Sequence, residues 1–535
     1  MPTTLNSIMA RSPAPTSGAA AERARARRTE KRTRRPGPPR SCGGGGDEER
    51  DEAGGRRWYV YGLCTYFVQV FLLPVLFPLM VAQRASPASG MPPPRPSPSP
   101  AVACHRNGTL LYQMVVHRSI HVTDSRLSPL HWTAISWFAG IIITAPVLPR
   151  VAQQLDHGYH QPFILGAATA IGSFICLLTG FFKTTWLFPF YIAIVTMTIT
   201  CASAVHTRHL GLIVRGLSGD QRVQQRRKPL ISSSMSLFAT SFGSFGTAFI
   251  ALFTFHMLRR TDHLTSLWVV SIFCGLKWFL GFTETFFANR PGSPSASLTL
   301  VSNYWPQLVG RLIGVFLSSV SSTCIFTSAT LYLVGGLCMK PVLVLAIWMV
   351  YFVFAAVALP TLHPIQLLLR ADPVKMNLLG FILSATASGF GFYFKDHRKW
   401  HFASVLLIAI VQSAGAGILN AFGRVMVLDR APTGKEGVFS SWYEWVKMSG
   451  ACAGFALAAV YPDNIRKTFG VSFLAVFVGI VVLIFGSEVR DFGGKRLQHE
   501  KESESSDNGM EKKGDQSKEY IGEREGKLGE ASVQV

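Results

Sequence analysis

The sequence predicts an all-α polytopic membrane protein with twelve transmembrane helices. Only 15% of its 535 residues are charged, where a soluble domain of that length carries about a quarter. The mean hydropathy is +0.28. The charges are also segregated. Residues 1–57 and 488–535 are dense in Arg, Lys, Asp and Glu, and between them apolar runs recur. Each run approaches the roughly 20 residues that a helix needs to cross hydrocarbon.

Residues 1–57 hold no apolar run, which argues against a secretory signal peptide. The first 46 residues are rich in Ala, Arg, Pro and Ser, with Glu22 and Glu30 their acidic residues. That composition fits either a disordered basic tail or an organelle transit peptide. The apolar spans follow at 58–81, 130–149, 162–182, 185–206, 231–256, 265–288, 305–336, 341–361, 376–394, 402–423, 438–460 and 468–487. Ser128-Pro129 reads as an N-cap followed by Pro at the first helical position, and Lys340-Pro341 places Pro similarly. These spans divide the chain into a six-helix bundle over 58–288, a short cytoplasmic linker at 289–304, a second six-helix bundle over 305–487, and a disordered charged tail at 488–535.

An even number of crossings puts both tails on one side. Lys and Arg are commoner in cytoplasmic loops, and the loop 207–230 supplies Arg208, Arg215, Arg222, Arg226, Arg227 and Lys228. With the basic amino-terminal tail, this sets both ends in the cytosol. The loop 82–128, Pro/Ser-rich, then faces a lumen or the exterior, and the sequon Asn107-Gly108-Thr109 falls on that side as a glycosylation candidate. The net charge of +22 belongs mainly to tails and loops. It points to anionic lipid rather than nucleic acid, because no soluble basic domain is present.

The nine cysteines form no framework. Cys64, Cys176, Cys201, Cys274, Cys324, Cys338 and Cys452 sit in or beside apolar runs and read as small packing residues. No Cys/His spacing implies a metal, and no cofactor is expected. A phosphate loop, a His-Glu-x-x-His helix and a nucleophile elbow are all missing, which argues against an enzyme.

Ionisable groups inside spans are costly and usually meet a partner or a cavity. The sixth span carries Lys277 and Glu284, seven residues apart. On a continuous α-helix they share a face. They form either a zwitterion-binding pair in a central cavity, with Glu284 a proton carrier, or a structural ion pair. Arg311 is either buried against an acid or at the cytoplasmic edge. Gln69, Gln412 and Asn420 either bind substrate or bridge helices. Gly450-x-x-x-Gly454, Gly310-x-x-x-Gly314 and the small-residue run "SSSMSLFATSFGSFGTAF" read as faces for close helix packing.

Two half-sets of six helices resemble the major facilitator superfamily. "PRVAQQLDHGYHQPFILG" and "PIQLLLRADPVKMNLLG" occupy equivalent places after the second and eighth spans, as internal repeats would. The superfamily's 2–3 loop motif is eroded: Pro149 stands for its Gly, Gln153 or Asp156 for its acid, and His157 and His160 for its basic cluster. "GRVMVLDRAPTGKEGVFSSWYEW" resembles more specifically the loop between helices 10 and 11 of the autophagy-linked vacuolar amino-acid effluxer family, through Arg424, Asp429, Pro432, Gly434, Lys435, Glu436, Phe439, Tyr443 and Glu444. Thr433 interrupts the family pattern. "RRWYVYGLCTYFVQVFLLPVLFPLMV" is similar to its first helix. "FLSSVSSTCIFTSATLYLVG" is similar to its seventh, without the acidic residue.

The resemblance implies a secondary carrier in the vacuolar membrane that exports amino acids to the cytosol by alternating access, with or without protons. Arg424, Asp429, Lys435, Glu436, Tyr443 and Glu444 would form its cytoplasmic gate. The competing reading of Glu444 is a helix cap, since Ser441-x-x-Glu444 has capping-box spacing. The alternatives in function are a carrier for another small organic solute in a plastid or plasma membrane, and a non-transporting scaffold.

Overall fold

The computed structural model describes residues 58–85, 112–122, 125–158, 161–182, 184–218, 221–261, 266–286, 301–394, 400–432, 434–462 and 464–485. Among them are twelve long helices: α1 (Trp58–Arg84), α2 (Pro129–His157), α3 (Gln161–Phe181), α4 (Phe188–Ser218), α5 (Gln221–Thr261), α6 (Ser266–Leu280), α7 (Val301–Gly335), α8 (Pro341–Leu369), α9 (Pro373–Tyr393), α10 (Phe402–Leu428), α11 (Glu436–Val460) and α12 (Ile465–Phe485). Nine of the described helices are long and apolar enough to cross a membrane on those grounds alone. The others are α6, a shorter apolar helix, and the less apolar α9 and α11. Large apolar side chains such as Phe138, Phe174, Leu368 and Phe477 point outward, as lipid-facing residues do.

Helix α1 is α-helical at both ends and wound as a π-helix over Val68–Leu76. Pro74 explains the widening. It has no N–H, and its ring would collide with the carbonyl four residues back in a regular helix. The wider turn relieves that conflict, and such turns recur at functional sites. Helix α2 starts as expected: the Ser128 hydroxyl accepts the His131 backbone N–H at 3.3 Å, and Pro129 follows the cap. Lys340 and Pro341 open α8 in the same geometry.

Several boundaries move. The loop expected at 207–230 is largely helical, because α4 runs on to Ser218 and α5 begins at Gln221. Leu210, Ile213 and Val214 keep a buried helical stripe there. The loop 82–128 contains an antiparallel hairpin, β1 (Ile120–Val122) on β2 (Ser125–Leu127), in the register Ile120 to Leu127. Arg118 beside it donates to the Ala82, Gln83 and Ala85 carbonyls at the end of α1. The tails, Asn107 and residues 289–300 of the expected linker lie outside the described residues; 301–304 already belong to α7.

The packing expectations divide. A Cβ on Gly450 or Gly454 would strike the Phe316 or Val320 carbonyl of α7, so α11 and α7 touch backbone to backbone. Gly243 and Gly246 of α5 press likewise on Tyr66 and on the Leu63 carbonyl of α1. Gly310 differs, with no atom within 4 Å of its added Cβ, so it makes no close helix contact. The reading of Cys338 as a packing residue is also corrected. It is disulfide-bonded, and because the other described cysteines are free and buried, its partner lies outside the described residues.

The first six helices pack among themselves, as α2 with α4 and α3 with α4 and α6. The last six do likewise, as α7 with α11 and α9 with α10. The seam between the halves is made chiefly by α2 against α11 and by α5 against α8. Gly454→Val is expected to destabilise the detergent-solubilised chain by about 1–3 kcal/mol through overpacking, lowering its melting temperature. Gly310→Ala at the open position is expected not to lower it.

Candidate functional site

The start of α11 is where the halves meet most tightly. Its first backbone N–H groups have no partner within the helix, and the N-cap residue Lys435 makes no side-chain cap. Asp156, near the end of α2, supplies the missing acceptors. One carboxylate oxygen takes the Gly437 N–H at 2.6 Å and the other takes the Val438 N–H at 3.2 Å. A carboxylate at a helix N-terminus also meets the favourable end of the helix dipole. Of Gln153 and Asp156, the two readings of the eroded motif's acid, Asp156 is the one that accepts from α11. The Arg208 guanidinium lies within its electrostatic reach and donates to Gln161, which in turn donates to the Leu155 carbonyl at 2.9 Å.

Gate candidates surround this clasp. Glu436 pairs with Arg215 of α4, and Arg215 also donates to the Ala431 carbonyl at 3.3 Å. Lys435 is buried and within electrostatic reach of Asp156. Gly434 sits at φ 82°, a left-handed conformation that glycine adopts without strain, and this turns the chain into α11. Asp429 closes α10 and faces Lys228 of α5. Arg424 is buried on α10, beside the Tyr443 hydroxyl and 5.8 Å from the Trp58 ring centre.

Glu444 does not cap α11. Ser441 and Glu444 lie in the second and third turns, because the helix begins at Glu436, ahead of the capping-box spacing. Instead Glu444 bridges. One oxygen accepts the Thr207 hydroxyl of α4 at 2.7 Å, and the other pairs with Lys447 at 2.6 Å. Thr207 carried no signal of this in the sequence, since it stood just past the fourth expected span, at the start of a basic loop.

Above this layer lies a cavity of about 110 Å³. Tyr66, Gln69 and Pro74 line it from α1, and Asn420, Tyr443 and Lys447 from the opposite half. Gln69 both lines the cavity and bridges helices, donating to Ser203 at 3.0 Å. The Asn420 side chain lies near the Tyr66 hydroxyl across the seam, and its amide nitrogen has no hydrogen-bond partner.

Three candidates lie elsewhere. Lys277 donates to the Gly246 carbonyl of α5 and rests 4.9 Å from the Phe67 ring centre. Beyond Lys277 the chain winds as a 3₁₀ helix over Gly281–Phe286, and the Glu284 side chain lies outside the described residues. Arg311 is buried and donates to the Met426 carbonyl at the end of α10. Gln412 lines a separate cavity of about 50 Å³ beside Trp348 and Phe469, and its amide atoms have no partner. Among the described residues no cluster of His, Cys, Asp or Glu could hold a metal.

No protein-family model matches the chain, and no curated protein matches it. Solved structures do. The human organic anion transporter MFSD10 (TETRAN) superposes with a TM-score of 0.52 at 12% identity, over 81% of this chain and 99% of that one. A bacterial homologue of the iron transporter ferroportin, in an outward-facing state with soaked iron, gives 0.51 at 13% identity over the same shares. At these identities the likeness concerns the fold. The chain is an all-α, polytopic membrane protein of the major facilitator fold.

Replacing a side-chain cap by Ala costs about 0.5–2 kcal/mol, which is about a 2- to 30-fold shift in a closed-to-open ratio. Asp156→Ala is therefore expected to accelerate tryptic cleavage after the buried Lys435 by that factor, and Asp156→Asn, which keeps an acceptor, by less. An unchanged cleavage rate would mean that the clasp does not close this face.

Proposed function

We propose that the chain is a secondary carrier that moves small amino acids across its membrane by alternating access. One observation carries the reading: a cavity with a few polar side chains in a largely apolar wall lies on the seam between the halves, and a breakable set of contacts closes the seam beside it. The clasp of Asp156 on α11, the Arg215–Glu436 pair and the Thr207–Glu444 hydrogen bond all join one half to the other. Rocking the halves apart breaks all three at once and opens the cavity on that side, as carriers built from paired bundles do.

The direction follows from the loops. Cytosolic thiols stay reduced, so the disulfide at Cys338, between α7 and α8, suits a lumenal or exterior face. The clasp is at the opposite ends of the helices and would be the cytosolic gate. The likeness of residues 423–445 to the vacuolar effluxer loop favours amino acids as cargo and the vacuole as the membrane, with export to the cytosol. The organic anion named for MFSD10 is compatible with a solute that carries a carboxylate. Protons, if they move with the solute, need a carboxylate within the membrane. Glu284 was the sequence candidate, and Glu444 is the one that touches the cavity's lysine.

Liposomes reconstituted with the purified chain are expected to take up radiolabelled amino acids saturably, and faster when unlabelled amino acid is loaded inside. Such acceleration is the signature of a site that faces each side in turn; a scaffold would move nothing. Glu284→Gln and Glu444→Gln, compared under an imposed pH gradient, separate the two proton candidates. The one that carries the proton loses the gradient's effect.

A further inference from the structure

We infer that Lys447 is the carboxylate-binding group of the central cavity, and that a bound carboxylate draws it away from Glu444 and so loosens the Thr207–Glu444 contact across the seam. The inference rests on the carrier reading and names the chemistry by which cargo operates the gate.

Accessibility within the pair is the first observation. Lys447 lines the cavity with 13% of its side chain exposed, whereas Glu444 is 1% exposed and does not line it. A solute in the cavity therefore reaches the ammonium and not the carboxylate. Lys447 has three donors, and Glu444 takes one of them. Its ammonium also lies 5.3 Å from the Tyr443 ring centre, which leaves it turned along the cavity wall.

Charge is the second. Lys447 lies within electrostatic reach of both Arg424 and Glu444. Arg424 is 6% exposed, and its Nε and Nη1 atoms have no partner. Lys447 thus stands between one cation and one anion in a buried layer, where a charge left unpaired is costly. An arriving carboxylate balances the set: it takes Lys447, and Glu444 is freed toward the open donors of Arg424. A solute bearing only a positive charge worsens the imbalance and is disfavoured. The unpartnered Asn420 amide nitrogen and the Gln69 side chain remain to hold the rest of a small solute.

The consequence for the gate follows from Glu444 holding two partners. Its other oxygen accepts from Thr207 on the opposite half. Moving Glu444 toward Arg424, on its own half, weakens that bridge when cargo is present.

The test uses the full chain in liposomes and in detergent. Uptake of a mixture of radiolabelled amino acids is competed by L-alanine, by L-alaninamide, which lacks the carboxylate, and by propionate, which lacks the amine. L-alanine and propionate are expected to compete, and the amide at least tenfold more weakly. Lys447→Gln alone leaves Glu444 unpaired and risks misfolding. The double variant Glu444→Gln/Lys447→Gln keeps the charge balanced, and it is expected to fold and to lose the tenfold discrimination. Lys447→Arg is expected to keep it. Hydrogen exchange in residues 436–447 is expected to rise with L-alanine in the wild-type chain, and to stay unchanged with the amide or in the double variant. Equal competition by acid and amide, or discrimination that survives in the double variant, overturns the inference while leaving the carrier reading intact. Exchange that does not respond to L-alanine removes the gate coupling. Carboxylate-specific protection against thermal unfolding without uptake overturns the carrier reading and leaves the site.

Discussion

Two backbone N–H groups at the start of α11 have no partner in their own helix, and one carboxylate from the other half of the molecule satisfies both. Buried backbone donors must find an acceptor, and a carboxylate also meets the favourable end of the helix dipole. The arrangement therefore fixes more than a helix end. It sets the height of α11 against α2, and the contacts along its length follow at helical spacing. Glu444 and Trp445 come two turns later, reaching Thr207 and the Ile141 carbonyl, and Cys452 two turns beyond them faces the Ala134 carbonyl at 3.9 Å. One face of α11 is thereby committed to the opposite half from end to end.

The strength of those contacts falls along the helix. At its start they involve charged groups: Asp156, and Glu436 with Arg215. Charge-assisted hydrogen bonds of this kind are roughly twice as strong as neutral ones. Midway, one such bond remains, from the Thr207 hydroxyl to the Glu444 carboxylate. Further along, the indole of Trp445 donates at 3.3 Å, and beyond it lies only the thiol contact. A seam graded in this way is held at one end. In the proposed cycle the halves would part where a few strong contacts break together and pivot where the weak ones slide.

The helices were legible in the sequence because hydrocarbon imposes length and composition locally. The starts at Ser128-Pro129 and Lys340-Pro341 were legible for the same reason: a cap and a proline act within a few residues. What failed to show depends on partners distant in the chain. Thr207 is unremarkable until Glu444, 237 residues away, accepts from it. Asp156 was one of two readings of an eroded motif, and only its geometry against Gly437 separates it from Gln153. The Ser441/Glu444 spacing suggested a cap, but a cap depends on where the helix begins, and α11 begins five residues before Ser441. The shared face of Lys277 and Glu284 assumed an unbroken α-helix, and the pitch changes at Gly281.

Lys277 and Lys447 show why composition alone does not separate structure from function. Both are buried lysines on apolar helices. The Lys277 ammonium is met by a backbone carbonyl and an aromatic face, with α5 held close to α1 at Gly246. Neither partner can leave without unpacking helices, so that charge is settled for as long as the fold lasts. Lys447 is met by a carboxylate that has a second partner on the other half, with an under-used arginine nearby and a cavity in front. Each of its interactions can be exchanged for another without an unpaired charge being left behind. A buried charge whose partners are replaceable can respond to a solute, and in this molecule that condition is met where the two halves would part in the proposed cycle.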